Sequence, residues 1–197
     1  MVKNLMEIEV FASSVKKSAE TLKRYGLDLI DLLTNEEKTE IHLRNITSAY
    51  SMIVAIQIGL IDILNAVGIV PEGLIGYGVE ELLCGYADAS LTAEQVILAA
   101  YWTARTLEES NFEAGTMVDL GMSWSEVHKY CPKDIFPSRH LAEEHVTVSG
   151  PKSSVKSSVE KVKAENIFTA EVESHGYALH CHLMDAATES LRRNLEK

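Results

Sequence analysis

The chain has 197 residues, of which 46% are hydrophobic and 24% charged, and its formal net charge is −11. This balance is typical of a folded globular protein and excludes a disordered or fibrous one. The negative charge argues against nucleic acid or an anionic membrane as the main partner. The cysteines at 84, 131 and 181 are odd in number and lack CxxC spacing, which indicates a cytoplasmic protein without a disulfide framework or zinc ribbon.

Two long helices are predicted at the start of the chain. Apolar residues recur every three or four positions from residue 3 to about 24, which is the period of an amphipathic helix. A second helix is predicted from about 44 to 67. Gln57 and Asp62 interrupt its most apolar stretch, so we expect a deeply buried helix and no membrane span.

Two capping patterns and one apolar run predict the secondary structure of residues 34–109. Thr34 with Glu37, and Thr92 with Gln95, have the spacing of capping boxes, and the second opens a helix that continues to about 109. Between them, the run 74–77 predicts a short strand followed by a turn and a helix. A lone buried strand leaves its backbone N–H and C=O groups unpaired. Either the first half contains further strands without a clear sequence signal or, as we favour, the partner strands come from outside these 197 residues.

The second half of the chain has a different pattern. It predicts strands, a short helix opened by Ser123 and Glu126, and a helix led by Pro151, with the strands at 117–120, 135–140, 146–149 and 167–172. The order βαββαβ is that of a ferredoxin-like unit. A last helix is predicted from near His180 to the C-terminus.

These elements predict an α/β protein in three segments. Residues 1–115 form a partial α/β core, 116–174 a ferredoxin-like subdomain, and 175–197 a return to the core with the C-terminal helix. No flexible linker separates the segments.

The turn after the predicted strand reads Gly76-Tyr77-Gly78-Val79-Glu80-Glu81. Its context, a strand before and a helix after, is that of the G-x-S-x-G nucleophile elbow, but glycine replaces the central serine and Glu80 the last glycine. By itself this pattern more often marks a structural turn.

A family resemblance changes the interpretation of this turn. The stretch AIQIGLIDILNAVGIVPEGLIGYGVEELLCGYADASLTAEQVILAAYW strongly resembles the acyltransferase domain of animal fatty acid synthases, whose corresponding turn reads GHSxGE. The segments GMSWSEVHKYCP, HVTVSGP and GYALHCHLM extend the resemblance over nearly the whole chain. It implies an acyltransferase-like, helix-rich core of α/β-hydrolase type, incomplete here, with the ferredoxin-like βαββαβ subdomain inserted into it.

The resemblance also assigns roles to positions. Gly78 stands at the family's acyl-accepting serine, Tyr77 at its neighbouring histidine, and Glu81 at its retained glutamate. His180 falls on the general-base histidine, and the backbone N–H of Val79 on an oxyanion donor. Gly76 completes the elbow.

The substrate-binding position is altered as well. The family holds the malonyl carboxylate with an arginine directly after a Tyr-Trp pair, and Thr103 occupies that place here. Arg105 is a weak candidate because a helical residue two places further points about 200° away. The glutamine segment of the oxyanion hole would precede residue 1, and the final strands would follow residue 197.

The function implied is malonyl or acetyl transfer from coenzyme A to a carrier protein in cytoplasmic fatty acid biosynthesis. The substrates are acyl-CoA and the carrier's phosphopantetheine, no cofactor is bound, and the rest of a synthase chain is the expected partner. Without a nucleophile we expect this transfer to be abolished or severely reduced. The alternatives are a non-catalytic interaction or scaffold module and a partial gene product.

Other chemistries have less support. Adjacent residues seldom face one ion, so we expect no metal at His175, His180, Cys181 and His182. His180 alone is also compatible with a structural role. Lysines at 152, 156, 161 and 163 indicate a solvated helix face more than a docking site for a carrier.

Overall fold

The structure is a computed structural model that describes residues 2–35 and 41–196. The chain forms two compact units, which we call the first unit, residues 1–109 with 190–197, and the second unit, residues 110–189. The two compact units meet at 109/110 and 189/190. The division of the domain at 115/116 and 174/175 stays a prediction.

Helices build the first unit. Their bounds are α1 Val2–Leu5, α2 Glu9–Lys23, α3 Leu29–Thr34, α4 Ile46–Ala66, α5 Glu81–Ala87 and α6 Ala93–Glu109. The core is formed by fully buried side chains of α2, α4 and α6, among them Phe11, Val15, Ile58, Val96 and Ile97.

The single helix predicted from residue 3 to 24 is in fact two helices. Between α1 and α2 the chain makes a tight turn, in which Glu7 N–H donates to Asn4 O and Ile8 N–H to Leu5 O. Ile8 then adopts an extended conformation, with φ −85° and ψ 114°, which ends the helical hydrogen-bond pattern. The apolar period continues across this break because the two helices share one core.

Helix α4 confirms the second predicted helix. Asn45 caps its start by accepting a hydrogen bond from Ser48 N–H at 2.8 Å, and Gly68, with φ +76°, lies just beyond its end. The helix has 21 residues, and an 18-residue window within it has a mean hydropathy of 1.6, which would suffice to cross a membrane. Within the protein, however, 56% of that window is buried. A core helix meets the same criterion of length and composition. Burial is confined to its first two-thirds, and Leu60 and Leu64 are exposed.

One predicted capping box is confirmed. Thr92 N–H donates to Gln95 Oε1 at 2.9 Å, and Gln95 N–H donates to Thr92 Oγ1 at 3.2 Å. In the other, Glu37 lies outside the described residues, and Thr34 ends α3 with its hydroxyl donating to Ile30 O.

The prediction of a strand at 74–77 is wrong. The segment has no regular secondary structure and joins no sheet in the part of the first unit that the structure describes, and the side chain of Ile75 is 98% exposed. A ladder needs a partner whose backbone groups accept and donate its hydrogen bonds, and the described residues of this unit supply none.

An antiparallel sheet with helices against one face builds the second unit. Its elements are β1 Gly115–Leu120, α7 Trp124–Val127, β2 Phe136–Ala142, β3 His145–Pro151, α8 Lys152–Ala164 and β4 Thr169–Val172. The sheet has the order β2-β3-β1-β4, and all neighbouring strands are antiparallel. The predicted element order is therefore observed, as is the capping box of Ser123 and Glu126.

Alternation along the strands places one apolar face against α8. Val118 and Leu120 of β1 join Val148 of β3, and α8 contributes the buried Val155 and Val162. This confirms the amphipathic surface helix predicted after Pro151.

The helix predicted from near His180 begins later. His175, Gly176 and His180 have φ values of +54°, +82° and +59°, which a right-handed helix does not accommodate. A 3₁₀ turn, His182–Ala187, follows, and α9 spans Thr188–Leu195.

Candidate functional site

The turn at Gly78 has the backbone path of a nucleophile elbow. Tyr77 is extended, with φ −135° and ψ 116°; Gly78 follows with φ +65°, and a 3₁₀ turn, Gly78–Glu80, leads directly into α5. Such a sharp reversal from extended chain to helix holds a reactive side chain above its surroundings. Glycine adopts this left-handed conformation without steric strain, whereas other residues are strained in it.

Gly76 lies in close contact with the start of α5. A Cβ atom at this position would lie 2.5 Å from Glu81 Cα and 2.8 Å from Glu81 N. Both are backbone atoms, which cannot move aside as a flexible side chain would. The first glycine of the predicted elbow is therefore required by packing, independently of chemistry.

The remaining elbow side chains bring no nucleophile. Val79 packs against the core of the first unit, Glu80 is half-buried, and Glu81 is exposed at the first position of α5. Ser90, near the end of this region, donates its hydroxyl to Gly85 O at 3.1 Å. The backbone geometry of an elbow is present, and Gly78 carries no side chain there.

A half-buried carboxylate, which the sequence did not mark as functional, links α4 to α5. Asp62 of α4 accepts hydrogen bonds from the Tyr86 hydroxyl, at 2.5 Å, and from the Ser14 hydroxyl. Burial, followed by the hydrogen bond and charge of Asp62, raises the pKa of Tyr86 well above its ordinary value, so the phenol stays a donor. The sequence signal for this contact is an aspartate within an otherwise apolar helix.

The position of the family's arginine does not offer a free cation. Thr103 lies half-buried on α6. Arg105 is exposed; its Nε donates to Glu109 Oε1 at 2.8 Å, and its Nη1 lies 3.5 Å from Glu108 Oε2. Two carboxylates of its own helix thus already neutralise the guanidinium.

His180 belongs to the second unit, whereas Gly78 belongs to the first. It is exposed and occupies a left-handed turn. Beside it, Cys181 Sγ donates to Ala178 O at 3.1 Å, and burial raises the pKa of this thiol. His182 stacks edge-on against Phe136, with ring centroids 4.2 Å apart.

The neighbouring histidines and cysteine do not form a ligand set. Within residues 2–35 and 41–196, no three His, Cys, Asp or Glu side chains converge as metal ligands would. The lysines of α8 at 152, 156, 161 and 163 are exposed. Their role in carrier docking stays a prediction.

Comparison of the sequence with known families gives one match over its entire length. The family described as "Acyl transferase domain" matches residues 1–197. Prosolanapyrone synthase of Alternaria solani is 27% identical over 98% of this chain and 8% of its own. Highly reducing polyketide synthase sphB of Aspergillus fumigatus is 33% identical over 55% of this chain and 4% of its own. The chain thus spans less than a tenth of these relatives.

Solved structures show the same fold. The acyltransferase domain of the polyketide synthase PpsC of Mycobacterium tuberculosis superposes with a TM-score of 0.86 at 19% identity, covering 98% of this chain and 57% of that one. FabD from Acinetobacter baumannii gives 0.86 at 17% identity, covering 100% of this chain and 64% of that one. These neighbours are mixed α/β proteins.

Proposed function

Since the chain belongs to the acyl transferase domain family, we propose that it is a fatty acid synthase-type malonyl/acetyl acyltransferase domain whose transfer activity is abolished or severely reduced. The observation that carries the proposal is Gly78, which occupies the left-handed elbow position at φ +65° without a hydroxyl. Polyketide synthases stand among its relatives. The fatty acid synthase assignment is supported by the resemblance of residues 55–102 to the acyltransferase domain of that class.

The chemistry of the family explains why one atom decides activity. In the first half-reaction the hydroxyl oxygen attacks the thioester carbonyl, its proton passes to the general base, and the coenzyme A thiolate leaves. In the second, the thiol of the carrier attacks the acyl ester and frees the hydroxyl. Without the hydroxyl no acyl-enzyme forms, and a base at His180 has no nucleophile to deprotonate.

Recognition of the malonyl carboxylate is also weakened in this proposal. A planar guanidinium binds a carboxylate through two parallel hydrogen bonds, which threonine cannot reproduce. Thr103 offers one hydroxyl, and Arg105 is occupied by Glu108 and Glu109. We therefore expect little preference for malonyl over acetyl groups.

The architecture completes the proposal. In this proposal residues 1–115 and 175–197 belong to a partial acyltransferase core, and residues 116–174 are a ferredoxin-like subdomain inserted into it. Acyl-CoA, malonyl-CoA and a phosphopantetheine-bearing carrier are the family's substrates. The remainder of a synthase chain is the expected neighbour, in the cytoplasm, with no bound cofactor or metal.

Intact-mass spectrometry tests the proposal directly. The protein is incubated with malonyl-CoA and, separately, with acetyl-CoA, and malonyl CoA-acyl carrier protein transacylase from Clostridium perfringens is treated in parallel. We expect the mass of the chain to be unchanged while the reference enzyme gains an acyl group. A stable acyl adduct on this chain would overturn the proposed loss of activity.

A further inference from the structure

A cleft of about 520 Å³ lies between α2 and the start of α6 in the first unit. Lys17, Ser18 and Arg24 line it from α2, and Ala93 and Glu94 line it from the first turn of α6. The elbow uses none of these residues, so the cleft has no part in the chemistry of that turn.

The α2 wall of the cleft is basic, although the chain as a whole is acidic. The segment 16–24, KKSAETLKR, contains four Lys or Arg residues and one acid, whereas the whole chain has a net charge of −11. All four cations are exposed. Lys17 forms no ion pair with any residue that the structure describes. Positive charge concentrated beside a cleft favours an anionic ligand.

Two acids also line the cleft, and neither cancels the charge of Lys17. Arg24 Nη2 donates to Glu94 Oε1 at 2.6 Å, and this ion pair joins α2 to α6. Arg24 therefore neutralises the carboxylate of Glu94. Glu20, the other acid, is exposed, so water and salt screen its charge.

The first turn of α6 has two unused backbone donors. The helix has 17 residues, and its capping box uses the N–H groups of Thr92 and Gln95. The N–H groups of Ala93 and Glu94 have no acceptor in the described part of the chain. Free donors at the positive end of a helix dipole are a binding site for anions.

A buried hydroxyl on the opposite wall gives independent evidence for a ligand. Ser18 is 3% exposed, and its Oγ has no hydrogen-bond partner among residues 2–35 and 41–196. Thr21, on the same wall, instead donates its hydroxyl to Lys17 O at 3.2 Å. A buried hydroxyl without a partner is destabilising, and an acceptor atom bound in the cleft would satisfy it.

We propose that this cleft binds a phosphate group, either as the free ion or as a monoester. Ser18 and the N–H groups of Ala93 and Glu94 donate to its oxygens, and Lys17 neutralises its charge. A tetrahedral oxyanion suits the site because it offers several strong acceptors to donors on two helices. The proposal is independent of the proposed loss of transfer: an acyl adduct would refute that loss and leave the phosphate site unchanged.

Nuclear magnetic resonance of the full, isotope-labelled chain tests the site. Inorganic phosphate is titrated at constant ionic strength, with sodium chloride making up the difference. We expect the amide signals of Ala93 and Glu94 to move and to saturate, with a Kd of about 1 mM or lower.

A second titration, with glycerol 3-phosphate, distinguishes the two sources of the phosphate group. A site for a phosphate ester should bind this probe at least as tightly as inorganic phosphate. A site for the free ion should bind it about tenfold more weakly, because one oxygen is esterified and carries no charge. Both results support an oxyanion site, and their difference names its ligand.

Removal of the buried hydroxyl separates a role in binding from a role in folding. Ser18→Ala should weaken phosphate binding by about tenfold, since a donor to a charged group is lost. Without phosphate, this variant should be at least as stable as the original in urea denaturation, because the hydroxyl bonds to no described residue.

Two neighbouring lysines provide a matched pair of charge variants. Lys17→Gln should weaken phosphate binding by about fivefold, since it removes the unpaired cation of the cleft. Lys16→Gln makes the same change of charge at a residue that does not line the cleft. It should alter binding by less than about twofold, because solvent and salt screen its charge.

Two results would overturn the proposal. In one, sodium chloride moves the amide signals of Ala93 and Glu94 as far as phosphate does at the same ionic strength, which would leave the lysines as a complement to the C-terminal dipole of α2. In the other, phosphate binds, but Ser18→Ala binds it equally well, or Lys16→Gln and Lys17→Gln weaken it equally. Either finding would place the ion on an open helix surface and not in the cleft.

Discussion

The two units of this molecule differ in how they satisfy their backbone and apolar groups. In the second unit four strands pair with one another, and apolar residues such as Leu120 and Val148 are buried against α8. In the first unit the described residues form no sheet, and the apolar side chain of Ile75 faces solvent. The second unit therefore pairs its strands within itself, whereas the first unit is built from packed helices and leaves apolar side chains such as Ile75 on its surface.

The largest expected effect concerns chemistry at the elbow. In a chain that includes the rest of the domain, Gly78→Ser combined with Glu80→Gly should restore acyl-enzyme formation, on the order of 10³-fold or more above background. The added hydroxyl supplies the missing acyl acceptor. Acyl loading is measured by intact mass after exposure to acetyl-CoA.

The matched control for that experiment is Gly78→Ala, also with Glu80→Gly. It introduces the same backbone strain at φ +65° without a hydroxyl and should remain unacylated. If Gly78→Ser alone loads acyl groups as fast as the double variant, Glu80 does not obstruct the site.

The second prediction tests the close packing inside the second unit. Gly115 starts β1, and an added Cβ would contact Ala178 N and lie 2.8 Å from Ala178 Cβ. Gly115→Ala should lower the free energy of unfolding by about 3 kcal/mol, because backbone must shift to admit it. Chemical denaturation measures the loss. Gly73→Ala, where the new Cβ meets nothing within 4 Å, should be nearly neutral.

The third prediction compares equivalent apolar truncations in the two units. Leu120→Ala removes a buried side chain and should cost about 3 kcal/mol of stability. Ile75→Ala should change stability by less than about 0.5 kcal/mol, because that side chain is already in water. Equal costs in urea denaturation would show that the Ile75 side chain is covered within the chain itself.

The fourth prediction concerns the Asp62 network. Tyr86→Phe should destabilise the first unit by about 1.5 kcal/mol, because a charged acceptor loses one of its donors. Tyr25→Phe, at a stacked and partly exposed ring, is the control. A loss in the control as large as that in Tyr86→Phe would argue against a special role for the hydrogen bond.

The same network has a pH signature. The folded state raises the pKa of Tyr86, so its stabilising contribution is complete below the ordinary tyrosine pKa of about 10. Above that pH the unfolded chain loses the proton first and stability falls. The stability difference between the original protein and Tyr86→Phe should therefore shrink in alkaline titrations.

The smallest effect is expected at Arg105. Arg105→Ala should change stability by about 0.5 kcal/mol or less, since its closer ion pair, with Glu109, is solvent-exposed and Glu108 lies farther away, at 3.5 Å. Arg24→Ala breaks a comparable exposed pair with Glu94 and should behave alike. A change in acyl-CoA binding, measured by calorimetry, in Arg105→Ala alone would assign that residue a substrate role.

Sequence reasoning was most successful where local signals and packing agreed. Val118, Val148 and Val155 have the period of their elements, and Ser123 with Glu126 forms the predicted capping box. It failed at 74–77, where strand propensity lacked a partner, and near His180, where left-handed residues delay the last helix. Both failures concern backbone properties, strand pairing and left-handed φ angles, which residue types predict poorly.

The candidate site was predictable only in part. The elbow could be found because Gly76 and Gly78 stand in a recognisable order, and both prove to be geometric requirements. The fastening of α5 by Asp62 was not predicted, since its donors Ser14 and Tyr86 lie far away in sequence. Contacts of this kind follow from the tertiary fold.

The left-handed backbone at Gly78 makes glycine energetically preferable to serine at this position. A serine at φ +65° carries roughly 1–2 kcal/mol of conformational strain that glycine avoids. Once a lineage no longer depends on acyl transfer, selection for folding alone favours glycine at this codon. Reversion to serine alone would incur this strain at once, so the change would cost stability before it could contribute any chemistry.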